Sequence, residues 1–373
     1  MFDRARRYAT PGPLPRTGDR AGRVHRPPDH LLALMRTLFI HAGLHKTGTT
    51  SAQFSIHGHV DSLIRTVPFE LPNHSVELIE MFTDDQDAGR FLDHPARRQF
   101  RRFRGRRELL LARLDEFLAT NDRNGVISAE VLTDEFGPVE IDRLLTRMLL
   151  GFDRIRALIY VRPPAAFLTS FEQESVKSGQ SFDPARSYPQ YERRIGPWIA
   201  ALGSDCVDLV DITSDDLLEG SVVVDLRHRL GMAPDLQPKR RQNASLSAEA
   251  TVLSSLFWRR EGPSLRSKVR TVTDLASVRG FGSHRFAIDR SVVDQIVGDN
   301  IDDVHWMEDR LGHRFSTPGP SAGSIAFASD DEIVSFAEQV EPEFRAFVRE
   351  SRDLRQTSHL TMSLAKRIAL RRL

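Results

Sequence analysis

A glycine-rich segment near the start of the chain carries residue types that bind phosphate. It reads HAGLHKTGTT over residues 41–50 and follows the apolar run Leu38-Phe39-Ile40. A loop between a buried strand and a helix directs successive backbone N–H groups into one concavity, and the helix N-terminus adds a partial positive charge. Its lysine and its threonine hydroxyls supply further hydrogen-bond donors. The segment therefore predicts a site for a phosphate-bearing ligand.

The position of the lysine distinguishes this loop from the P-loop of a metal-dependent NTPase. Gly43 and Gly48 are spaced as in a nucleotide P-loop, and Thr50 occupies its hydroxyl position. In the NTPase the lysine follows the second glycine, where Thr49 stands in this chain. Lys46 lies instead in the middle of the loop. If a nucleotide binds there, we expect Lys46 to project close to a group attached at its 5′-phosphate.

The ends of the next two predicted strands also disfavour a metal-dependent NTPase. Such enzymes hold Mg²⁺ with an aspartate at a strand end. Here the two strands lead into Glu130 and Arg162. The sequence therefore predicts no metal site, although a P-loop kinase-like phosphotransferase stays open as an alternative.

Short β-rich runs alternate with helical patterns after residue 35. Each run is apolar and ends at a polar or proline-bearing turn, as buried parallel strands do. The sequence therefore predicts an α/β fold of the P-loop NTPase type, a three-layer sandwich with a mostly parallel central sheet. The predicted strands are 37–42, 125–129, 155–161 and 206–212. The predicted helices lie near 48–57, 106–120, 138–150, 164–178, 188–202, 215–230 and 330–349.

The two ends of the chain differ from this core. Residues 1–34 are rich in Arg, Pro and Gly and are predicted to be disordered, because they bury too little apolar surface to offset their ordering entropy. Met35, directly before the first strand, is a candidate for the native start. The strand signal fades after about residue 245. We expect 35–373 to form a single domain, with an α/β core over about 35–245 and a helical lobe over about 246–373.

The loop resembles that of the bacterial sulfotransferases that use PAPS, 3′-phosphoadenosine 5′-phosphosulfate. In that family a K-x-G-T-[TS] loop binds the 5′-phosphosulfate of the sulfuryl donor. The resemblance implies that the matching residues bind the 5′-phosphate, namely Lys46, Thr47, Gly48, Thr49 and Thr50. It also implies that Lys46 stabilises the charge on the leaving oxygen as the S–O bond breaks. Gln53 would follow one helical turn later.

A second element of the family is an arginine at a strand end, followed about eight residues later by a serine. Together they hold the 3′-phosphate of the sulfuryl donor, and Arg162 and Ser170 match them. Arginine suits this role because its planar fork can donate to two phosphate oxygens. Eight residues of helix return a side chain to nearly the same face. Pro163-Pro164 departs from the family's polar residue after the arginine, so the local turn is expected to differ.

Two further segments extend the resemblance to about residues 36–250. The helix around 171–179 resembles the family's S-x-x-x-Q-x-x-K-x-G pattern, and residues 240–247 resemble its N-x-S-L-S segment. The implied reaction is transfer of a sulfuryl group from PAPS to a hydroxyl or amine without a metal. A non-catalytic nucleotide-binding relative remains a further alternative.

The acceptor must lose a proton as it attacks sulfur, so a histidine or glutamate is expected within hydrogen-bond reach. His74 falls where relatives carry a histidine before a helix, and Glu130 resembles the glutamate of the family's S-S-E strand end. Ligands of parallel α/β sheets gather at such carboxyl ends. Glu70 is a weaker option, and His41 and His45 are expected to shape the pocket.

Composition excludes several classes of partner. Lys plus Arg total 52 against 51 Asp plus Glu, a net charge of +1, so no nucleic-acid partner is expected. The single cysteine, Cys206, excludes an internal disulfide and is expected in the core. No apolar stretch reaches the roughly 18 residues of a transmembrane helix, and no signal peptide follows the N-terminal arginines. We therefore expect a cytoplasmic location.

The acceptor itself leaves little trace in the sequence. Seven arginines lie between Arg97 and Arg107. They could dock an acidic acceptor such as a glycan, or simply form a solvated helix face. Acceptor loops on this fold vary without a readable code. The acceptor class and the oligomeric state therefore stay open.

Overall fold

Five parallel strands form the sheet that carries the candidate site. The computed structural model describes residues 35–44, 47–84, 105–232, 246–261, 274–316 and 322–353, and the elements below lie within the unit Arg36–Leu373. The strands are β1 Thr37–Gly43, β2 Ile64–Thr66, β3 Asn124–Ser128, β4 Arg154–Val161 and β5 Val207–Asp211. All pairings in this sheet are parallel, in the order β2-β3-β1-β4-β5. The predicted α/β fold with a mostly parallel central sheet is confirmed.

The central strand β1 is buried because its side chains alternate between two apolar clusters. Leu38 and Ile40 belong to the larger cluster, whereas Phe39 packs against the smaller one. β4 alternates in the same way, with Ile159 in the larger cluster and Tyr160 in the smaller. Strands covered on both faces read as continuous apolar runs, which is why these strands could be predicted from the sequence.

Helices cover both faces of the sheet. The helices of this part are α1 Thr49–Ile56, α2 Ser75–Phe82, α3 Arg107–Thr120, α4 Val131–Asp134, α5 Pro138–Met148, α6 Pro164–Lys177, α7 Tyr191–Leu202 and α8 Val222–Arg229. Of these, α1 and α8 pack together over the smaller cluster, while α2, α3, α5, α6 and α7 contribute to the larger one. This arrangement is the three-layer sandwich expected from the strand–helix alternation.

Some element boundaries differ from the predicted ones. The helix predicted over 215–230 begins only at Val222, where the Ser221 side chain accepts a hydrogen bond from the Val224 N–H and caps the helix. The short strand β2 was not predicted. The prediction that Cys206 is a core residue is wrong, because it lies partly exposed in the 3₁₀ turn Ser204–Cys206 before β5.

The predicted helical lobe also contains a second, two-stranded sheet. Its strands, β6 Arg285–Ile288 and β7 Ser324–Phe327, pair in parallel, with two helices between them in the chain. Each strand has only four residues, too few to show an alternating pattern in the sequence. The C-terminal elements are α9 Ala248–Arg259, β6 Arg285–Ile288, α10 Arg290–Asp299, α11 Ile301–Leu311, β7 Ser324–Phe327 and α12 Asp330–Asp353. Among them, α12 packs against α9.

Two predictions about the chain ends are not tested by this structure. The disorder predicted for residues 1–34 concerns residues outside the described ranges. The single-domain interpretation of 35–373 likewise stays a prediction. In the described part of the chain, no helix combines the length and the apolar character needed to cross a membrane.

Candidate functional site

The phosphate-type loop connects β1 to α1 at the carboxyl end of the central strand. Lys46 and His45 lie outside the described residues, whereas Thr47 to Thr50 are described. Gly48 precedes α1 with φ of 83°, a left-handed conformation that side-chain-bearing residues rarely adopt. Its carbonyl accepts a hydrogen bond from the Ala52 N–H at 3.3 Å, which opens the helix. The sequence therefore forms the strand–loop–helix unit that the motif predicts.

The three threonines of the loop make different hydrogen bonds. The Thr47 hydroxyl donates to the Leu44 carbonyl at 2.7 Å and so stabilises the loop itself. The Thr49 hydroxyl donates to Glu130 Oε1 at 2.5 Å. The Thr50 side chain is partly exposed and makes no hydrogen bond to the residues that the structure describes.

Gly43 allows the loop to fold back closely on the end of β1. A Cβ atom at this position would lie 2.4 Å from Thr49 Cγ2 and 2.6 Å from Thr47 Oγ1. Both distances are far shorter than a van der Waals contact. Residue 43 must therefore be glycine for the two threonines to keep their positions.

Glu130 lies directly after β3 and is held from two sides. Its Oε1 accepts the Thr49 hydrogen bond, and the Asn73 Nδ2 lies 3.5 Å from its Oε2. Asn73 is itself fixed, because its Oδ1 accepts from both the N–H and the hydroxyl of Ser75. The Ser75 hydroxyl in turn accepts from the Val131 N–H at 3.1 Å. The predicted site residue Glu130 is thus brought into contact with the loop.

His74, the other predicted base, is buried away from solvent. Its Nδ1 accepts a hydrogen bond from the Ser128 N–H at 3.2 Å, so the neutral ring carries its proton on Nε2. Burial, together with the charges of His57 and His41, lowers the pKa of His74 to about 3. The ring also meets Phe69 edge to face. In this arrangement the basic nitrogen of His74 is already used.

His41 adjoins the same group through Ser128. Its Nδ1 lies 2.7 Å from the Ser128 hydroxyl, and its buried Nε2 has no hydrogen-bond partner among the residues that the structure describes. Burial lowers the pKa of His41 to about 3. The ring packs edge-on against Tyr160 of the neighbouring strand. His41 is therefore packed in the interior between β1 and its neighbouring strands.

The remaining candidate, Glu70, lies apart from the loop. Its carboxylate forms an ion pair with Arg113 at 3.0 Å. Its backbone N–H donates to Glu77, whose pKa burial raises to about 6. In the described contacts, Glu70 therefore serves the packing of the segment before α2.

Arg162 and Ser170 lie on the β4 side of the loop. Gly43 pairs with Tyr160 in the sheet, so Arg162 follows that pair by two residues at the same sheet edge. Burial lowers the pKa of Arg162, and the Tyr191 hydroxyl donates to its carbonyl. Pro164 occupies the first position of α6, where its missing N–H costs nothing. Ser170 lies partly buried two turns into this helix.

Three polar side chains that were not predicted from the sequence form hydrogen bonds at the end of β4. The Tyr160 hydroxyl donates to Asp225 Oδ2 at 2.6 Å, and the Arg229 Nε donates to the same oxygen at 2.7 Å. Burial and the neighbouring Asp225 raise the pKa of Tyr160. Asp225 belongs to α8, whose Val222 side chain lies 3.6 Å from the position of a Cβ on Gly48. No local signal in the sequence links these elements.

The two segments that extended the family resemblance meet in the structure. Gln173 of α6 donates through Nε2 to the Leu246 carbonyl at 2.7 Å and to the Thr251 hydroxyl at 3.1 Å. Ser247 caps α9 by accepting from the Ala250 N–H. Residues 233–245, which include the Asn243 of the motif, lie outside the described residues.

A cavity of about 430 Å³ opens one residue beyond Arg162. Its walls come from the start of α6 and from α10 and α11, and they are mainly apolar, with Pro163, Val293 and Phe315 among them. Charged groups stand around these walls, including Arg290 and Arg314. Within the described ranges, no group of three or more His, Cys, Asp or Glu could hold a metal ion. Of the arginine-rich run 97–107, only residues 105–107 are described.

Comparison with known proteins gives matches among solved structures alone, since no family model and no curated protein matches the chain. A sulfotransferase from Alicyclobacillus acidocaldarius is 16% identical, with a TM-score of 0.39 over 75% of this chain and 97% of that one. The sulfotransferase domain of the Synechococcus PCC 7002 olefin synthase is 17% identical, with a TM-score of 0.34 over 67% and 98%. The sulfotransferase domain from the curacin biosynthetic pathway is 13% identical, with a TM-score of 0.31 over 76% and 99%. These TM-scores lie below 0.5, so the function of the site must be inferred from the chain's own residues.

Proposed function

We propose that this protein transfers a sulfuryl group from PAPS to a hydroxyl or amine acceptor. The observation that carries the proposal is the hydrogen bond between Thr49 and Glu130. It joins the loop expected to bind the 5′-phosphosulfate to the carboxylate expected to take the acceptor's proton. In this proposal, the donor site and the proton acceptor would meet at one edge of the sheet.

The 5′-phosphate would be bound by the loop, and the 3′-phosphate by Arg162 and Ser170. Backbone N–H groups at the start of α1 and the partial positive charge of the helix suit an anion at this position. Lys46 would lie beside the bridging oxygen. Phosphate contacts of this kind require no metal ion, because the cations are side chains.

The reaction would be an in-line displacement at sulfur. The acceptor oxygen or nitrogen forms a bond to sulfur, and the bond between sulfur and the 5′-phosphate oxygen breaks with its electron pair left on that oxygen. Lys46 stabilises this charge, and Glu130 takes the proton of the acceptor. We favour Glu130 over His74 for the second role, because the His74 Nδ1 already accepts the Ser128 N–H.

The first experiment is a calorimetric titration of the full chain with PAP, the 3′,5′-nucleotide product, without metal. 5′-AMP, which lacks the 3′-phosphate, is titrated in parallel, and ATP with Mg²⁺ tests the kinase alternative. We expect tight PAP binding that Lys46→Ala weakens about 10- to 100-fold, since hydrogen bonds to charged groups contribute about 1.5–3 kcal/mol each. Metal-dependent ATP binding without PAP binding would overturn the proposal.

Arg162→Ala separates recognition of the 3′-phosphate from a general loss of structure. This variant should lower PAP affinity towards that of 5′-AMP while leaving 5′-AMP affinity unchanged. Arg260→Ala is the matched control, because it removes an exposed arginine paired with Glu341 in the C-terminal lobe. Equal losses of both nucleotides in Arg162→Ala would assign that residue to structure instead.

A further inference from the structure

The Thr49 hydroxyl is directed at the carboxylate of Glu130. Thr49 is only 3% exposed, and its hydroxyl donates to Glu130 Oε1 at 2.5 Å. A hydroxyl has a single proton to donate. While this bond exists, the Thr49 side chain cannot also donate to a phosphate oxygen of the sulfuryl donor.

The packing around Thr49 holds its side chain in this orientation. Its Cγ2 methyl group lies against Gly43, at 2.4 Å from the position that a Cβ would take there. A β-branched side chain has few accessible χ1 rotamers, and rotating the hydroxyl away would move the methyl group as well. The close approach of Gly43 therefore selects the rotamer that points the hydroxyl at Glu130.

The opposite side of Glu130 is also fixed. Asn73 presents its Nδ2 to Oε2, because its own Oδ1 is held by the N–H and the hydroxyl of Ser75. The contacts with Thr49 and Asn73 therefore involve both oxygens of the carboxylate.

We infer that Thr49 is a positioning residue for Glu130, and that Thr50 alone gives its hydroxyl to the phosphate. The inference rests on the proposed function and refines it, because the loop residues divide into two roles. Thr49 offers the phosphate its backbone N–H and uses its side chain to hold the carboxylate. The loop thus ties the proton acceptor to the site of the sulfuryl donor.

The test compares two isosteric variants, Thr49→Val and Thr50→Val, in PAP titrations of the full chain. Valine keeps the methyl packing and removes only the hydroxyl. We expect Thr50→Val to weaken PAP binding about tenfold, as for one hydrogen bond to a charged group. Thr49→Val should change PAP binding less than about threefold. An equal or larger loss in Thr49→Val would overturn the inference.

A double-mutant cycle on unfolding tests the Thr49–Glu130 bond without any nucleotide. Thr49→Val and Glu130→Ala should be coupled by about tenfold in the unfolding equilibrium constant, because each removes the same charge-assisted bond. Thr49→Ser should keep the coupling. Additive effects would show that the two side chains do not interact in solution, and the inference would fail.

PAPS hydrolysis, with water as the acceptor, provides the functional readout. Thr49→Val should lower kcat about tenfold and leave the KM for PAPS unchanged, with recovery in Thr49→Ser. A raised KM at unchanged kcat would place the Thr49 hydroxyl on the phosphate and overturn the inference. The two failures are distinguishable, since a wild-type chain that does not bind PAP removes the proposed function itself.

Discussion

The two sides of β1 at the loop use different chemistry. The β3 side, formed by His41, His74, Ser128 and Glu130, contains two buried histidines kept neutral and a carboxylate. The β4 side, formed by Tyr160, Arg162, Asp225 and Arg229, contains a tyrosine kept protonated, an aspartate and two arginines. One loop therefore lies between a side whose buried histidines take up protons only in acid and a side whose tyrosine keeps its proton.

The difference lies in how burial acts on each group. Burial lowers the pKa values of both histidines to about 3, so they stay neutral in ordinary buffers. On the other side, burial and Asp225 raise the pKa of Tyr160, which therefore keeps its proton. The β3 side should respond to acid through its histidines, whereas Tyr160 on the β4 side should not.

The largest effect is expected from Gly43→Ala, which disturbs the loop between both sides. The added Cβ would overlap Thr49 Cγ2 and Thr47 Oγ1, so the loop must move away from Glu130. Overpacking of this kind costs about 1–3 kcal/mol. We expect PAP affinity in titration to fall by up to about 100-fold.

Gly196→Ala is the matched control for this substitution. It lies inside α7, where a Cβ would meet its nearest neighbours at 3.8 and 3.9 Å, which is ordinary contact. Its PAP affinity should equal that of the wild-type chain. Normal PAP binding by Gly43→Ala would show that the threonines do not need their observed positions.

The second prediction sharpens the acid response of the β3 side. The folded-state pKa of each buried histidine lies below its unfolded value, so the unfolded chain takes up protons first as pH falls. Stability is therefore lost from about pH 6.5 down towards pH 3, by about 2 kcal/mol per histidine at pH 5. Urea unfolding at pH 7.5 and pH 5 measures this loss.

His74→Asn should remove its share of the pH dependence, because asparagine does not titrate and can still accept the Ser128 N–H. His228→Asn, at an exposed position of α8, is the matched control for the substitution itself. A His74→Asn chain with the full wild-type slope would contradict the assignment of the acid response to the β3 side.

The smallest effect is expected on the β4 side, from Tyr160→Phe. This variant removes the hydroxyl that donates to Asp225, while the bond from Arg229 remains. We expect a loss of about 1.5 kcal/mol in urea unfolding, nearly equal at pH 5 and pH 8. A strongly pH-dependent loss in Tyr160→Phe would erase the contrast between the two sides.

Much of the sheet could be predicted from the sequence because its strands are buried on both faces. β1, β3, β4 and β5 appear as apolar runs, and the structure places them within one or two residues of the predicted ranges. β2 has three residues and β6 four, which is too short for a pattern to emerge. Their existence depends on pairing with distant strands.

The candidate site could be predicted only in part. Strand-end logic placed Glu130 near the loop, and the structure brings it into contact with Thr49. The sequence could not reveal which threonine turns towards it, since that depends on the packing against Gly43. It also could not reveal that His74 faces the Ser128 N–H, because a partner so far along the chain leaves no local signal.

The topology of the sheet has a consequence for the order in which the chain is made. β1 is synthesised first, yet Leu38 pairs with Gly125 on one side and Ile155 on the other. At about 5–20 residues per second, roughly 4–17 s separate the synthesis of Leu38 from that of Gly125, and roughly 6–23 s from that of Ile155. Both edges of this apolar strand are open to other chains until β3 is made, and one edge stays open until β4 is made. Slow production, low temperature or a holdase chaperone should therefore decide how much of this protein is recovered unaggregated.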